Sequence, residues 1–517
     1  MISKKGQGRM SLAFFMAALR RRRRPEALID RAYPAWARRD RPDPAVWRAL
    51  IAGLRHTPRF SIVMPVHETD SRWLAAAVQS VRAQFYADWE LLIADDASQS
   101  PGVRAYLASL AGDERIDVQT LPARQGISAA SNAALARAQG DYVTFLDHDD
   151  LLAPHALAAA AVEIAATPSL DLLFSDEDQI VRGRRASPYF KPGWNPDLLL
   201  SQNAVCHLAI YRRALVTAVG GLRPAHDGSQ DYDLALRAAA DLPASRVRHI
   251  PLVLYHWRQS PGSFSATAAA RCADAARRAL ADHLGARAIV ATDPALPQWP
   301  AVRMALPGIR PLVSIIGPRI DTGHYDKVEF VAGPAQAAGS VLVWIGADMQ
   351  PMQADWLEAL VAQALRPEIG AAGGRITNPQ GALLHAGYQL HPKAVAFSWP
   401  APGDAADPGY RGQFRLARSV SAVSAQCLAV RRAVFEAAGG FTAASGDFQD
   451  VDLCLRLAAR GLRTVWVPQA WLMTARLTPQ RDGSAWMRAR WADALQRDLY
   501  GNANLALSSG RVRLVSR

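Results

Sequence analysis

Cysteine is scarce in this chain. Its 517 residues hold four, at Cys206, Cys272, Cys427 and Cys454, and no two stand in a C-x-x-C spacing. That excludes a disulfide-stapled secreted scaffold and a zinc ribbon, and it reads as reduced, buried thiols in a cytosolic protein. Long apolar runs are missing as well. The N-terminal run Met10 to Leu19 has ten residues, about half of what a helix needs to cross a bilayer. Five arginines, Arg20 to Arg24, follow it directly in place of a small-residue cleavage site, so it is neither a signal peptide nor a span. The chain also lacks a G-x-x-x-x-G-K-[ST] phosphate loop, an H-E-x-x-H pair, a G-x-S-x-G elbow and a G-x-G-x-x-G turn after a strand. Those gaps remove the commonest nucleotidases, metalloproteases, serine hydrolases and dinucleotide enzymes.

What is present suits two or three globular domains. Half of the residues are hydrophobic and 20% are charged, which argues against extended disorder. The net charge of +13 is concentrated at one end: residues 1–60 hold 15 Lys/Arg against 4 Asp/Glu, leaving only +2 for the rest. A basic end on a near-neutral body is not a nucleic-acid binder's pattern. It points to one local anionic partner, such as a membrane surface. Residues 10–24 read as an amphipathic segment lying on anionic lipid, or else as a frayed basic terminus. Residues 25–58, rich in Pro, Arg and Trp, read as a connector.

From Phe60 the pattern changes. Phe60–Val66 is a short apolar run of the buried parallel-strand type, and further strands read at Trp89–Ala94, Ile116–Leu121 and Tyr142–Leu146. Helical periodicity fills the gaps at Trp73–Gln84, Val103–Leu110 and Ile127–Ala138. Four strand–helix alternations predict an α/β fold with a mostly parallel central sheet. In such sheets ligands bind beyond the carboxyl ends of the strands. Acidic clusters stand at those ends: Asp95-Asp96, then Asp147-His148-Asp149-Asp150.

The pattern then partly repeats. Gly220-Gly221 and Gln230-Asp231-Tyr232-Asp233 meet Gly439-Gly440 and Gln449-Asp450-Val451-Asp452 at a constant, gapless offset of 219, which signals internal duplication. The second copy is shortened. Ser61 to Asp149 spans 88 positions, whereas Ser314 to Asp348 spans 34, and Asp147-His148-Asp149 has become Gly346-Ala347-Asp348. The expected organisation is a basic segment and connector at 1–58, a catalytic domain at 59–286 and a linker at 287–310. A degenerate copy at 311–480 and a tail at 481–517 complete it.

Each acidic cluster has two readings. Asp147 and Asp149, one residue apart on a tight turn, can face one Mg²⁺ or Mn²⁺, which takes oxygen ligands and shares them with phosphate; a solvated capping turn is the alternative. Asp95 and Asp96 can accept from a base or a ribose, or can cap the next helix. Asp176-Glu177-Asp178, after an apolar strand at Leu170–Phe174, reads as a loop with Asp176 the one that points inward. Asp231 stands near a helix N-terminus, where the dipole favours negative charge. It can be a general base or a plain cap. His256, in Tyr255-His256-Trp257-Arg258, is a metal ligand or a structural histidine, and Arg258 a phosphate clamp.

Together these motifs resemble the inverting family 2 glycosyltransferases of the GT-A fold. The matching stretches are Ser61-Ile62-Val63-Met64-Pro65-Val66, Ile93-Ala94-Asp95-Asp96-Ala97-Ser98 and Gln125-Gly126. Phe145 to Asp150, Phe174 to Asp178, Gly228 to Asp233 and Tyr255 to Arg258 continue the match. The resemblance covers residues 59–286, and two-copy chains of this kind are similar to enzymes that build bacterial surface polysaccharides such as O-antigen. It implies a nucleotide-diphospho-sugar donor and a glycan or lipid-linked glycan acceptor. Pro65, Val66, Glu68, Asp95, Asp96, Asp147 and Asp176 would then line the donor, with Mn²⁺ or Mg²⁺ on Asp149 and His256 and Asp231 as the base. His67-Glu68 departs from the Tyr-Asn that many relatives carry there. No nucleic acid is implied. The expected location is the cytoplasm, peripheral at the inner membrane. A catalytically inactive glycan-binding or assembly protein of the same pathway is the competing reading.

Overall fold

The computed structural model describes residues 25–259, 268–294, 296–398, 403–404, 406–477, 482–508 and 511–515. The expected amphipathic segment at 10–24 lies outside them. The connector expected at 25–58 is instead helical. Helix α1 (Pro25–Arg39) buries Tyr33 and Trp36, which pack edge-on against Phe190, and α2 (Pro44–Ala52) follows at once.

The first sheet is built by β1 (Phe60–Val66), β2 (Trp89–Asp95), β3 (Ile116–Thr120), β4 (Tyr142–Phe145), β5 (Leu151–Leu152), β6 (Leu172–Val181), β7 (Arg184–Tyr189), β8 (Ala209–Arg212) and β9 (Val247–Gln259). Its order is β3-β2-β1-β4-β8-β6-β9-β5, with β7 paired to β6. Strands β1, β2, β3, β4, β6 and β9 run one way, while β8, β5 and β7 oppose them. The sheet is therefore mostly parallel, as expected. All seven residues of β1 and of β2 are buried, because helices cover both faces of a parallel sheet. Those helices include α3 (Ser71–Arg82), α4 (Pro101–Ala108), α5 (Ile127–Leu135), α6 (Ala156–Ala166), α7 (Gln230–Ala239) and α8 (Ala269–Leu284). Asp70 caps α3 by accepting the Arg72 N–H at 2.8 Å, and Leu74, Ala77, Val78 and Val81 form its buried stripe.

The expected linker at 287–310 is a β-hairpin, β10 (Ala288–Thr292) against β11 (Pro300–Met304). The second sheet follows: β12 (Val313–Ile316), β13 (Val328–Val331), β14 (Val341–Ile345), β15 (Gln350–Pro351), β16 (Ile369–Thr377), β17 (Cys427–Arg431) and β18 (Arg463–Met473), with helices α9 (Trp356–Ala364) and α10 (Gln449–Ala458). Strand pairing runs β13-β12-β14-β17-β16-β18-β15, which repeats β2-β1-β4-β8-β6-β9-β5. The local chemistry repeats too. Ser61 donates to Glu90 at 2.6 Å and accepts from the Gly140 N–H at 2.9 Å; Ser314 donates to Glu329 at 2.5 Å and accepts from Gly339 at 2.8 Å. A Cβ on either glycine would lie 2.7 Å from the serine nitrogen, so glycine is required at both. Arg237 bonds Asp233 and the carbonyls of Val219 and Gly221, and Arg456 bonds Asp452 and the carbonyls of Ala438 and Gly440.

The two halves meet at Asp197. Its buried carboxylate pairs with Arg366 at 2.8 Å and Arg463 at 2.9 Å and accepts from Ser419 Oγ. Burial pushes its pKa up, but the two guanidiniums outweigh that and hold it at about 2. Removing one side of a buried pair costs about 3 kcal/mol or more, so Asp197→Ala is expected to lower the urea midpoint sharply. The folded pKa lies below the ordinary value of 3.8. This contribution is thus full above about pH 4 and is lost as pH falls from there toward 2. The stability gap between wild type and Asp197→Asn should shrink over that window.

Candidate active site

The turns beyond the carboxyl ends of β1, β2 and β4 carry the acidic clusters. Those after β1 and β2 are tied to one another. Glu68 accepts the Gln99 N–H at 2.5 Å and the Ser100 N–H at 3.3 Å, bonds that hold its carboxyl below the usual range. Asp95 accepts the Ser98 N–H at 3.1 Å, and His67 Nδ1 stands 2.9 Å from the Asp96 carbonyl. Glu68 (φ 43°) and Ala97 (φ 58°) both take left-handed backbone, a local strain these bonds sustain. Asp96 accepts the N–H groups of Gln125 at 2.6 Å and Gly126 at 2.9 Å, which fastens the loop leading into α5. Each of its oxygens keeps a further lone pair.

That loop is also tied to the lead-in of α7. Ser128 Oγ donates to Asp227 at 2.5 Å, and a Cβ on Gly126 (φ 95°) would lie 2.8 Å from the other Asp227 oxygen. Asp227 leads directly into α7, whose first turn holds Asp231. The half-buried Asp231 carboxylate accepts the Asn203 amide at 2.8 Å.

Asp147 to Asp150 form the floor. Tyr255 Oη donates to Asp150 at 2.6 Å, and Arg258 gives its backbone N–H to the same carboxylate at 2.7 Å. Burial and the charges of Asp147 and Asp149 still push Asp150 well above the usual range. Arg258 Nε bonds the Asp149 carbonyl at 2.7 Å, and His148 Nδ1 lies 3.2 Å from the Pro65 carbonyl at the end of β1. Asp147 is raised by burial first; the charges of Asp149 and Asp231 add to that, while His207 and His148 oppose it. The charges of Asp149 and Asp231 thus both act on Asp147.

Two expected site residues, Asp176 and His256, are placed elsewhere. Asp176 and Asp178 were read as a loop; they stand inside β6, which runs on beside β9 and β7. Asp176 is fully buried and accepts from the Lys191 N–H, Asn502 and Asn504, with His249 Nε2 at 2.8 Å. Asn502 and Asn504 belong to the C-terminal tail, so that tail reaches into the first half. Asp178 accepts from Tyr33 of α1 and from Arg185, and His256 Nδ1 lies 2.6 Å away. Burial raises Asp178, but His256 and Arg185 outweigh it and hold the carboxyl low. Side chains alternate along β9: Tyr255 and Trp257 face the floor, and His256 points the other way, to Asp178.

The imidazole that does stand beside Asp147 is His207. Its ring stacks on Tyr255 (centroids 4.6 Å apart, 19° between planes). Its N–H donates to Glu177, and its carbonyl accepts from the fully buried Lys191 ammonium at 2.6 Å. Nothing in Cys206-His207-Leu208 marks it in sequence; only the fold brings β8 beside β4. Among the described residues, no group of three or more His, Cys, Asp or Glu side chains is placed to hold a metal ion.

Residues 61–220 match the sequence model of Glycosyl transferase family 2. The chain carries a glycosyl transferase family 2 domain. The architecture of its first half is accordingly the GT-A fold, and the second sheet repeats that fold in shortened form. The chain is 35% identical over 486 residues to the uncharacterized protein y4gI of Sinorhizobium fredii, covering 81% of this chain and 53% of that one. It is 34% identical over 515 residues to the O-antigen biosynthesis protein RfbC of Myxococcus xanthus, covering 87% and 40%. It thus spans about half the length of the curated relatives it matches. Among solved structures, S. aureus TarS 1-349 in complex with UDP-GlcNAc matches with a TM-score of 0.37 at 20% identity, covering 44% of this chain and 67% of that one. The family 2 match ends at residue 220, so Asp231 and β9 fall outside the matched residues.

Proposed function

We propose that this chain moves a sugar from a nucleotide-diphospho-sugar to a glycan or lipid-linked glycan acceptor, with inversion, in the synthesis of a bacterial surface polysaccharide. The family 2 match and the O-antigen name of the Myxococcus relative support the class. One observation bears the weight: the turn that carries Asp147 and Asp149 is fixed at the end of β4, where Asp150 accepts from Tyr255 Oη at 2.6 Å and from the Arg258 N–H at 2.7 Å and Arg258 Nε bonds the Asp149 carbonyl at 2.7 Å. Two carboxylates presented on one such turn suit a site whose other occupants include a cation.

In this reading Pro65, Val66 and Asp96 lie at the nucleotide end, where Glu68 and Asp95 act by holding the loop after β2. Asp176 is a buried anchor for the tail. Asp147 and Asp149 offer the oxygen ligands that Mg²⁺ or Mn²⁺ prefers, and such an ion needs only one or two carboxylates when water and phosphate fill the other positions. Bound there, the ion would offset the charge that grows on the departing diphosphate. Arg258 and His207 border the same floor and add positive charge or hydrogen bonds beside it. Asn203 orients Asp231, which takes the acceptor hydroxyl proton. The hydroxyl oxygen then bonds to the anomeric carbon, and the bond to the diphosphate breaks on the opposite face with its electron pair leaving on the diphosphate. We place this chemistry in residues 59–286 and assign the shortened half to acceptor binding or to support.

Among the described residues no helix is long and apolar enough to cross a membrane. The site would work on the cytoplasmic face of the inner membrane, where lipid-linked acceptors present their glycans. Transfer from a panel of nucleotide-diphospho-sugars, with the product anomer read by NMR, tests the proposal. The product should carry the anomer opposite to the donor's, and chelation should suppress it. Retention of configuration would overturn the mechanism.

A further inference from the structure

Helix α2 departs from the usual build of a surface helix. Its sequence, Pro44 to Ala52, contains one polar residue, Arg48. Trp47 and Ile51, with Leu54 beyond the helix, pack against the core of the first half, and the Trp47 ring stands 5.2 Å from that of His155. At 100° per residue Ala45, Val46 and Ala49 face away from that contact, and Leu50 lies on its flank. A solvated helix puts charged residues there. Here all four are exposed, Val46 to 54% and Leu50 to 43%. Arg48 apart, the helix is apolar on every side, and an apolar outward strip belongs in a core or against lipid.

The surroundings select between these. Arg38, Arg39, Arg41, Arg48 and Arg55 are all exposed. The two acids among them are engaged: Asp40 pairs with Arg185 at 3.2 Å, and Asp43 caps α2 through the Ala45 N–H at 2.8 Å. An apolar strip rimmed by arginines is complementary to an anionic bilayer surface. A second copy of the same face would meet it with like charge.

We propose that α2 is a lipid-docking helix, with Val46, Ala49 and Leu50 entering the headgroup boundary and the flanking arginines meeting lipid phosphates. His155 begins the helix that follows β5, five residues past Asp150. Docking through α2 therefore holds the carboxylate floor near the bilayer. That use rests on the transfer reading; the lipid contact itself does not.

The test is co-sedimentation of the full chain with phosphatidylglycerol–phosphatidylcholine vesicles at about 0.1 M salt. Val46→Asp combined with Leu50→Asp is expected to lower partitioning about tenfold or more, with the melting temperature unchanged because both side chains are exposed. Wild-type binding should fall comparably with phosphatidylcholine alone. Unchanged partitioning of the double variant would overturn the proposal and leave lipid binding to another segment. So would a wild-type dimer that the variant converts to monomer with vesicle binding intact. Vesicle binding through α2 without any sugar transfer would support this inference and sink only the transfer reading.

Discussion

Asp231→Asn is expected to lower transfer by roughly a hundred- to ten-thousandfold, the span a positioned general base supplies, while donor binding stays near wild type. Asn keeps the size of the side chain. It can still bond the Asn203 amide if one of the two amides turns over, so the first turn of α7 is not disturbed. What is lost is the group that accepts the acceptor's proton. Because that proton moves only after both substrates are bound, the loss belongs in kcat and not in donor affinity. The paired measurement is turnover together with donor titration on the same preparation. Weakened donor binding with turnover kept would mean that Asp231 serves the donor. Full turnover would place the base elsewhere.

The second large effect concerns the end of the chain. Asn502→Ala with Asn504→Ala removes three amide hydrogen bonds from the buried Asp176 carboxylate. Each lost partner of a buried group costs about 1–3 kcal/mol, so a loss of several kcal/mol is expected. The urea midpoint should fall steeply and transfer should fall with it. Transfer follows because Asp176 sits in β6 two residues from Asp178, which holds His256, and next to Glu177, which holds the His207 backbone. An unchanged midpoint would show that the tail does not dock on β6. The same contacts predict that a fragment ending before residue 500 behaves as a destabilised protein, although the family 2 match stops at residue 220.

Strands β1 and β2 are legible because each is a short, mostly apolar run ended by a turn and buried on both faces; β3, with Asp117, Gln119 and Thr120, is an edge strand and largely exposed. The duplication was readable because its offset is constant; the Arg237 and Arg456 networks show what that constancy preserves, a guanidinium closing the turn before each helix. The floor of the site was readable from Asp147 and Asp149 at the end of β4. The rest depends on distant partners. Asp176 looks like a loop acid until Asn502, more than 300 residues away in sequence, comes to meet it. Tyr255-His256-Trp257 declares its alternation but not which face turns to the floor of the site; the bond from Tyr255 to Asp150 decides that and sends His256 to Asp178. His207 carries no local signal at all. The helices within 25–58 are hard to read because Pro25, Pro42 and Pro44 stand at or just before helix starts, where proline is tolerated, while Pro34 lies inside α1 and Pro58 just before β1.

Everything functional here depends on the turns at the ends of β1, β2 and β4 being the donor site. Calorimetric titration of nucleotide-diphospho-sugars with Mn²⁺ into wild type and into Asp147→Asn/Asp149→Asn addresses that directly. One donor should bind wild type, and its affinity should drop about tenfold or more both in the double variant and on chelation. Binding left untouched by both, or no binding by any donor, would contradict the account.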